Sequence, residues 1–544
     1  MLRRSTAPAR WPALLFFCLV IALLPACSLL RSGPDGAAQD SGRDAFSLDI
    51  QADDAEVQAY LAQHLELQRY RQLPDLQTQE LARLLQAADA NARDLLATQG
   101  YFSPDITLEL QDNPAPDAAA PAHTVRMAVR RGARTHIAQV DLSVTGNSHA
   151  DGVDLKRRQA QLQRGWGLPE GEPFTQQAWD DAKTQGLRSL QARRYPTAQI
   201  ADSRADIDAD QARADLMVHY DSGPAYRFGP LQIRGGERYD SVGLARIARL
   251  PTGADYSEAR LLDTQQRLAA SGYYDSVFLT LDTEAADPLA APVIAQVRDA
   301  PLQKLVFGVG ISTDSGPRLS MDHIHNRLPA LGWRAVSKVS LDRKLKLIST
   351  DWTALPAANG WRWFSGVQLQ RETTGSFEVN STRLRAGRTE SSDHIDRSYF
   401  LQHDTASSHG MGAPPSSSAI SANLGWTGRY FNNNNAPTRG WGLAGELGVG
   451  TTLRPARDPF VRTQLRWQSF IDLGRVDLGQ KVRRASRLSL RAEGGAVLAR
   501  AGADIPVTQL FLTGGDTTVR GYGYRSIGAG INHGQTYGGR YMAV

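Results

Sequence analysis

The residues best suited to chemistry lie near the end of the chain, in a short glycine-rich segment. Val519, Arg520, Gly521 and Tyr522 place a guanidinium beside a glycine and an aromatic ring. A guanidinium presents a planar fork of donors that suits carboxylate partners and aromatic faces. Glycine lets the backbone pass close to a neighbouring wall. These four residues alone are more typical of an exposed arginine in a glycine-rich turn, so the case for a binding role depends on the surrounding elements.

From about residue 301 the chain alternates apolar and polar residues with a period of two. The apolar positions include Leu305, Phe307, Val309, Ile311, Val461, Thr463, Leu465 and Trp467, the last four alternating with Arg462, Gln464 and Arg466. This alternation is typical of strands with lipid on one side and water on the other, and such strands close into a barrel because lipid tolerates no open edge. Most tryptophans also lie beyond residue 330, including Trp333, Trp352, Trp361 and Trp441, as an aromatic girdle requires. A soluble β-sandwich with one wet face explains the alternation equally well.

The region from Phe46 to about residue 300 repeats one unit of strand, two helices and two strands. The segment LPEGEPFT at 168–175 recurs as LPTGADYS at 250–257, and a helical segment follows each copy. Thr175 and Ser257 are the predicted N-caps of these helices. In the first, looser unit the predicted helix is Thr78–Gln99. Each small mixed sheet would leave an edge free to accept an extended segment of a partner; the alternative is that the modules are spacers.

The chain begins with a segment of the signal-peptide type. Three arginines precede the apolar stretch Trp11–Leu24, which predicts a signal peptide over residues 1–27 and a flexible linker over 28–45. The sequence LPAC at 24–27 resembles a lipobox, which makes Cys27 a candidate for lipidation. Cleavage after Ser28 is the alternative. With Cys18 inside the signal segment, a mature chain keeps too few cysteines for a disulfide framework.

Motifs for catalysis, cofactors and metals are absent from the sequence. It contains no Gly-x-Ser-x-Gly, no His-Glu-x-x-His and no Cys-x-x-Cys. His323 and His325 would share one face of a strand, but this spacing is far more typical of an ordinary polar strand. A net charge of +5 over 544 residues gives no indication of nucleic-acid binding. We therefore expect no catalytic, cofactor or metal site, and a protein that is not an enzyme.

Together, the modules, the alternating strands and the arginine motif resemble the Omp85 superfamily and, within it, the TamA family. Val519–Tyr522 is similar to the VRG(F/Y) signature of this superfamily. The other supporting segments are Ala225–Gly229, Gly308–Arg318, Gly514–Asp516 and Tyr524–Ile527. The resemblance covers Phe46–Val544 and implies POTRA-like modules over 46–131, 132–224 and 225–300, followed by an outer-membrane barrel over 301–544. It also implies that the loop carrying Arg520 folds into the barrel lumen.

The resemblance implies an α+β region followed by a sixteen-stranded membrane barrel. At about 20 residues per strand and connection, residues 301–544 hold roughly 12 strands, so we expect the chain to stop before the barrel is complete. The carboxylate partner that the family supplies for the lumen arginine is then unassigned. Glu493 is a local candidate, because it falls on the polar side of an alternating segment.

The resemblance further implies an assembly or translocation factor of the bacterial outer membrane, with its modules in the periplasm. Its implied partners are a TamB-like inner-membrane protein, unfolded clients such as autotransporters, and outer-membrane lipids. The predicted gate strand contains Leu305, Phe307, Gly308, Val309, Gly310 and Ile311. Its glycines weaken side-chain packing, and an opened edge accepts an incoming strand. The alternative function is an export pore of the two-partner-secretion type, which carries two modules.

Overall fold

The computed structural model describes residues 44–73, 76–113, 121–146, 152–312, 315–374, 377–433, 436–477, 483–515, 518–523, 525–528, 531–532, 535–536 and 538–544. The predicted signal peptide, Cys27, most of the predicted linker, Asp516 and Tyr524 lie outside these ranges. The chain divides into two compact units, one of Met1–Ser189 and Gln199–Asp221 and one of Leu190–Ala198 and Ser222–Val544. None of the described helices is long and apolar enough to span a membrane.

Module 1 is a three-stranded sheet covered by two helices. It consists of β1 (Phe46–Ala52), α1 (Ala55–His64), a 3-10 turn (Glu66–Tyr70), α2 (Thr78–Thr98), β2 (Asp105–Asp112) and β3 (His123–Arg130). Its order is β1-β3-β2, with β1 parallel and β2 antiparallel to the central β3. Alternate strand residues and one helix stripe form the core, in which Phe46, Leu61, Leu96, Val125 and Met127 are fully buried. Burial of each such side chain contributes about 1.5–3 kcal/mol.

Helix α1 begins after Asp54, whose carboxylate is its N-cap. Asp54 Oδ1 accepts hydrogen bonds from the backbone N–H groups of Val57, at 3.1 Å, and Glu56, at 2.8 Å, and Oδ2 pairs with Arg131 at 2.6 Å. The bonds from Val57 and Glu56, with a smaller effect of Arg131, hold the pKa of Asp54 below its ordinary value. Because the folded pKa is depressed, the ionised cap stabilises the helix above the unfolded pKa. That stability is lost as the pH falls through the folded pKa.

We expect Asp54→Asn to keep helix α1 but to remove its acid sensitivity, since asparagine is as good an N-cap as aspartate. Hydrogen exchange of the α1 amides is measured in the parent and in Asp54→Asn at each pH. Below about pH 4 it should be faster in the parent than in the variant. Exposed amides of module 2 supply an internal reference for the effect of pH on intrinsic exchange. If α1 exchange responded equally to acid in the parent and in Asp54→Asn, this role of the Asp54 charge would be contradicted.

Module 2 repeats the same topology. It consists of β4 (His136–Thr145), α3 (Gly152–Arg164), α4 (Gln176–Gln191), β5 (Gln199–Asp208) and β6 (Arg213–Asp221), in the order β4-β6-β5. Thr175 caps α4 as predicted, because its hydroxyl accepts a 3.1 Å hydrogen bond from the Ala178 N–H. The exit of module 1 packs on this cap region, with the rings of Phe102 and Phe174 5.8 Å apart. Gly100 is required there: its φ is +89°, and a Cβ would lie 2.2 Å from the Phe174 carbonyl oxygen.

Module 3 belongs to the second unit. It consists of β7 (Phe228–Arg234), α5 (Ser241–Ala248), α6 (Glu258–Ala270), β8 (Tyr274–Leu281) and β9 (Ala291–Asp299), in the order β7-β9-β8. Its core includes Phe228, Leu244, Leu268 and Val293. Ser257 lies at the predicted N-cap position of α6, without the side-chain hydrogen bond that Thr175 makes at α4. Its backbone is extended there and forms a β-bridge with Arg193.

The rest of the second unit is a 12-stranded antiparallel sheet. Its strands are β10 (Gln303–Ser312), β11 (Gly316–His325), β12 (Arg334–Leu341), β13 (Leu345–Thr353), β14 (Arg362–Thr374), β15 (Phe377–Ser391), β16 (Ile395–Gly410), β17 (Ser417–Phe431), β18 (Gly440–Arg454), β19 (Pro459–Asp477), β20 (Arg483–Ala499) and β23 (Tyr541–Ala543). The short strands β21 (Ile531–Asn532) and β22 (Gln535–Thr536) form a separate hairpin. Neighbours in the sequence pair throughout, from β10 to β20, and β23 pairs with β20.

The two faces of this sheet differ as the sequence predicted. One face exposes large apolar side chains such as Leu369, Leu401, Leu447 and Leu465. The other face carries polar residues, several of them buried, including Glu372 and Asp404. An apolar exposed face of this extent is suited to hydrocarbon rather than water. The predicted architecture, POTRA-like sheets followed by membrane strands with a polar interior, is thereby confirmed.

Candidate functional site

The described residues between 500 and 528 (500–515, 518–523 and 525–528), termed the lumen segment, fold back along the polar face of the sheet. The segment contains a 3-10 turn at Val507–Gln509, and Phe511 then forms a β-bridge with Gly539. Together with the inward residues of β14, β15 and β19 it lines a cavity of about 270 Å³. Part of the segment that carries the arginine motif therefore lies against the polar face of the sheet.

Asp404 on β16 is the central anchor of the lumen segment. The residue is 1% exposed, and its carboxylate accepts hydrogen bonds from Arg383 (2.9 Å), Gln402 (2.6 Å) and Gln509 (2.5 Å). Arg383 also donates to the carbonyl oxygen of Thr508 at 3.1 Å. A buried carboxylate is stable only when charge and hydrogen bonds compensate its lost hydration. Here part of that compensation comes from the segment itself, so the burial of Asp404 is coupled to the position of Gln509.

Arg462 on β19 is a second anchor. Its guanidinium donates to the Gln509 carbonyl oxygen at 3.0 Å, to Glu446 at 3.1 Å and to Gln464 at 2.9 Å. It also lies over the ring of Phe511, 5.0 Å from the centroid. The planar fork of an arginine can satisfy these partners at once, which a lysine cannot. Two wall residues on different strands thus hold the same turn of the segment.

A third anchor pairs the segment with β14. Arg525 donates to Glu372 at 2.6 Å, and Glu372 is 4% exposed. The same carboxylate accepts from Gln370, which in turn accepts from Gln368, each at 2.9 Å. This row of inward side chains continues along one strand, so the ion pair is part of a hydrogen-bonded network rather than an isolated contact.

The predicted arginine motif lies in an exposed turn of the lumen segment. Arg520, Gly521 and Tyr522 are exposed, and Gly521 has a φ of +89°. Within the described residues the Arg520 side chain has no hydrogen bond or ion pair. The local candidate Glu493 instead accepts a 2.6 Å hydrogen bond from Gln464. The structure does not bring Arg520 and Glu493 together, and the nearby arginine that pairs with a carboxylate of the sheet is Arg525.

The predicted gate strand is β10, which forms one edge of the 12-stranded sheet. It pairs with β11 along its whole length, from Gln303 opposite His325 to Ser312 opposite Gly316. Leu305, Phe307, Val309 and Ile311 are exposed. A Cβ at Gly310 would meet nothing within 4 Å, whereas one at Gly308 would lie 2.5 Å from the Ser320 hydroxyl. Its role as a gate stays a prediction.

One end of the sheet is attached to module 3 through its turns. Leu355, in the connection between β13 and β14, packs against the core of module 3, next to Gly243 of α5. Arg246 donates to the Pro356 carbonyl oxygen at 3.1 Å, and Arg249 donates to the Ser391 carbonyl oxygen at 2.5 Å. Arg267 lies 3.4 Å from Asp393. Module 3 is therefore attached at this end of the sheet.

The histidines singled out in the sequence lie near one edge of the sheet. The described residues contain no group of three or more His, Cys, Asp or Glu that could hold a metal ion. His323 and His325 lie with their ring centroids 6.4 Å apart, and His323 is 3.2 Å from Gln303. The features that distinguish this site are buried ion pairs that position a segment.

Comparison with known protein families identifies the class to which two regions of this chain are similar. Residues 357–544 match the Omp85 superfamily domain. The chain thus carries the barrel domain of an outer-membrane insertion and translocation family, and it resides in the bacterial outer membrane with its modules in the periplasm. Residues 47–125 match the POTRA domain described as TamA domain 1. Module 1 is accordingly a POTRA domain of the TamA type.

The solved structures to which this chain is similar are distant in sequence. BamA from Haemophilus ducreyi lacking POTRA domains 1-3 is 14% identical, with a TM-score of 0.48, and the match covers 72% of this chain and 76% of that one. CdiB from Acinetobacter baumannii is 16% identical, with a TM-score of 0.35, over 72% and 73% of the two chains. CdiB from Escherichia coli is 11% identical, with a TM-score of 0.36, over 82% and 79%.

Proposed function

We propose that this chain is a TamA-type assembly factor that inserts or secretes substrates such as autotransporters, without an enzymatic step. The match of module 1 to a TamA POTRA domain on the same chain as an Omp85 barrel domain supports the TamA type. The observation that carries the mechanism is the anchoring of the lumen segment by Asp404 through Gln509. A lumen held shut by buried ionic contacts is unsuited to a continuously open channel, so clients are handled beside the sheet rather than through it.

The proposed step takes place beside β10. Glycines at 308 and 310 reduce the side-chain packing of this strand, and backbone pairing of a strand with few side-chain contacts is the easiest to open. An opened strand presents N–H and C=O groups that a client strand can satisfy by β-augmentation. The energy of the new backbone hydrogen bonds then replaces that of the broken ones. No covalent chemistry is required for this step.

The proposed partner is a TamB-like protein anchored in the inner membrane. Module 1 supplies a surface for it: β1 occupies one end of the order β1-β3-β2 and pairs in that sheet with β3. Such a strand can accept an extended partner segment through its outer backbone groups. The polar side chains Asp49 and Gln51 on β1 keep this strand soluble in the periplasm.

An export pore of the two-partner-secretion type is the rival function, and conductance separates the two. In planar bilayers we expect the parent chain to show low, infrequent conductance, because the lumen segment obstructs the interior. In cells that lack the chromosomal copy, the same chain should restore surface display of an autotransporter reporter. Asp404→Ala is the internal control for the bilayer measurement, since it should raise the conductance. Large, stable channels of the parent together with unrestored display would favour the pore.

A further inference from the structure

Arg388 is an arginine on the lipid-facing side of the sheet. It lies on β15 directly opposite Trp363 of β14 and Tyr399 of β16, and both rings are more than half exposed. Arg383, an odd number of residues away on the same strand, lines the lumen cavity. Because successive side chains of a strand point to opposite faces, Arg388 points outward.

The surroundings of Arg388 stabilise its positive charge with aromatic rings, but within the described ranges no protein anion pairs with it. Its guanidinium carbon lies 5.2 Å from the ring centroid of Trp363 and 5.6 Å from that of Trp361. Trp361 in turn packs on Tyr399, with centroids 5.4 Å apart. The Nε atom of Arg388 is buried and has no hydrogen-bond partner, and no ion pair of its side chain occurs within the described ranges. The indole faces stabilise the charge by cation–π interaction, and within the described ranges the two terminal Nη groups make no hydrogen bond.

The nearby carboxylate does not neutralise this arginine. Glu390, two residues along β15 on the same face, lies 3.9 Å from Arg397 and forms its ion pair there. The outward face around Arg388 therefore keeps a local positive charge. An arginine placed between aromatic rings without a protein anion is a binding position for an external anion.

The position of Arg388 near one end of the strands indicates where such an anion would come from. Trp361 and Trp363 flank the start of β14, immediately after the connection whose Leu355 packs against module 3. This is the periplasmic end of the sheet, where tryptophan and tyrosine rings lie at the headgroup level of a bilayer. An outward cation at that level meets phospholipid headgroups, and a basic position at an interface binds their phosphates.

We propose that Arg388, Trp361 and Trp363 form a binding site for the phosphate of a phospholipid headgroup in the periplasmic leaflet. The guanidinium donates to two phosphate oxygens, and the indoles contact the glycerol region and the start of the acyl chains. The site ties the periplasmic end of β14 and β15, next to the module 3 attachment, to one lipid. It is separate from the lumen and does not depend on how clients are handled.

The test uses the full chain in non-ionic detergent, titrated with dioleoylphosphatidylglycerol while native mass spectrometry counts the bound lipids. Arg388→Gln should weaken the tightest binding event about tenfold, since loss of a charge-assisted contact is of that order. Trp363→Leu should weaken it less, because it removes one indole and keeps the charge. Arg371→Gln is the matched control: this arginine also points outward, at the opposite end of β14, and pairs with Glu378 at 2.7 Å. It should leave the binding unchanged.

Two results would overturn the proposal. One is equal phosphatidylglycerol binding by the parent and by Arg388→Gln, when Arg388→Gln gives the same β-sheet circular-dichroism spectrum as the parent. The other is displacement of the lipid by millimolar inorganic phosphate, which would assign the position to a free anion instead of a headgroup. Recovery of binding in Arg388→Lys, weaker than the parent but stronger than Arg388→Gln, is the result expected if charge and planar geometry both contribute.

Discussion

Replacing Asp404 with alanine should release the lumen segment from the wall. The substitution leaves Arg383 without its carboxylate and removes the acceptor of Gln402 and Gln509. Loss of one partner of a buried ion pair costs about 3 kcal/mol, which raises the population of the detached segment roughly a hundredfold. Limited proteolysis of the folded chain in detergent, with cleavage sites mapped within residues 500–528, measures this population.

The matched control for Asp404→Ala is Asp351→Ala. Asp351 also faces the lumen and lies 3.7 Å from Arg385, but its side chain is 57% exposed. An exposed ion pair contributes about 0–1 kcal/mol, so this variant should be cleaved like the parent. If the lumen segment of Asp404→Ala were as resistant as that of Asp351→Ala, Asp404 would not be its anchor.

The second large effect is expected at Leu355, the apolar contact among those that attach the sheet to module 3. Leu355→Asp would place a carboxylate against the core of module 3, beside Gly243 and without a hydrogen-bonding partner in its hydrophobic cluster. Lost apolar burial and the cost of the buried charge together amount to about 2 kcal/mol at a half-buried position. Hydrogen exchange in helix α5 should then accelerate roughly thirtyfold.

Leu355→Met tests whether this effect comes from packing. Methionine conserves the volume and the apolar character of the side chain, so exchange of α5 should stay close to that of the parent. Acceleration of module 1 and module 2 amides in Leu355→Asp would instead indicate general unfolding. Unchanged α5 exchange in Leu355→Asp would mean that the connection does not hold module 3.

The parts of this fold that sequence could predict are those encoded over short distances. The helix at Thr78–Gln99 is present and ends at Thr98, because a 3.6-residue apolar period is a local property. The alternation at Val461–Trp467 predicted which side chains face lipid and which face water, since strand geometry fixes that order. Repetition of the 168–175 segment at 250–257 likewise predicted equivalent modules, although the equivalent cap at Ser257 makes no hydrogen bond.

The anchors of the lumen segment could not be predicted, because their partners are remote in the chain. Asp404 and Gln509 are 105 residues apart, and Arg525 and Glu372 are 153 apart. Each is an ordinary polar residue of its own segment, and no local pattern pairs them. The arginine signature drew attention to Arg520, whereas the ion pair with the wall is made by Arg525, five residues later. The sequence indicated only that these residues face inward on alternating strands, and many other polar residues share that property.

The proposed function is tested most directly by fixing the lumen segment in place during client assembly. Val507 packs against the apolar cluster of Phe377, Val379 and Ala406 on the wall and makes none of the ionic contacts itself. Ala406→Cys and Val507→Cys together allow a short, reducible bifunctional reagent to join segment and wall, and each single cysteine variant is a control. We expect crosslinked cells to display an autotransporter reporter as efficiently as uncrosslinked cells, because clients assemble beside β10. Display that is lost on crosslinking and restored by reduction would show that clients pass through the lumen, and would contradict the proposed function.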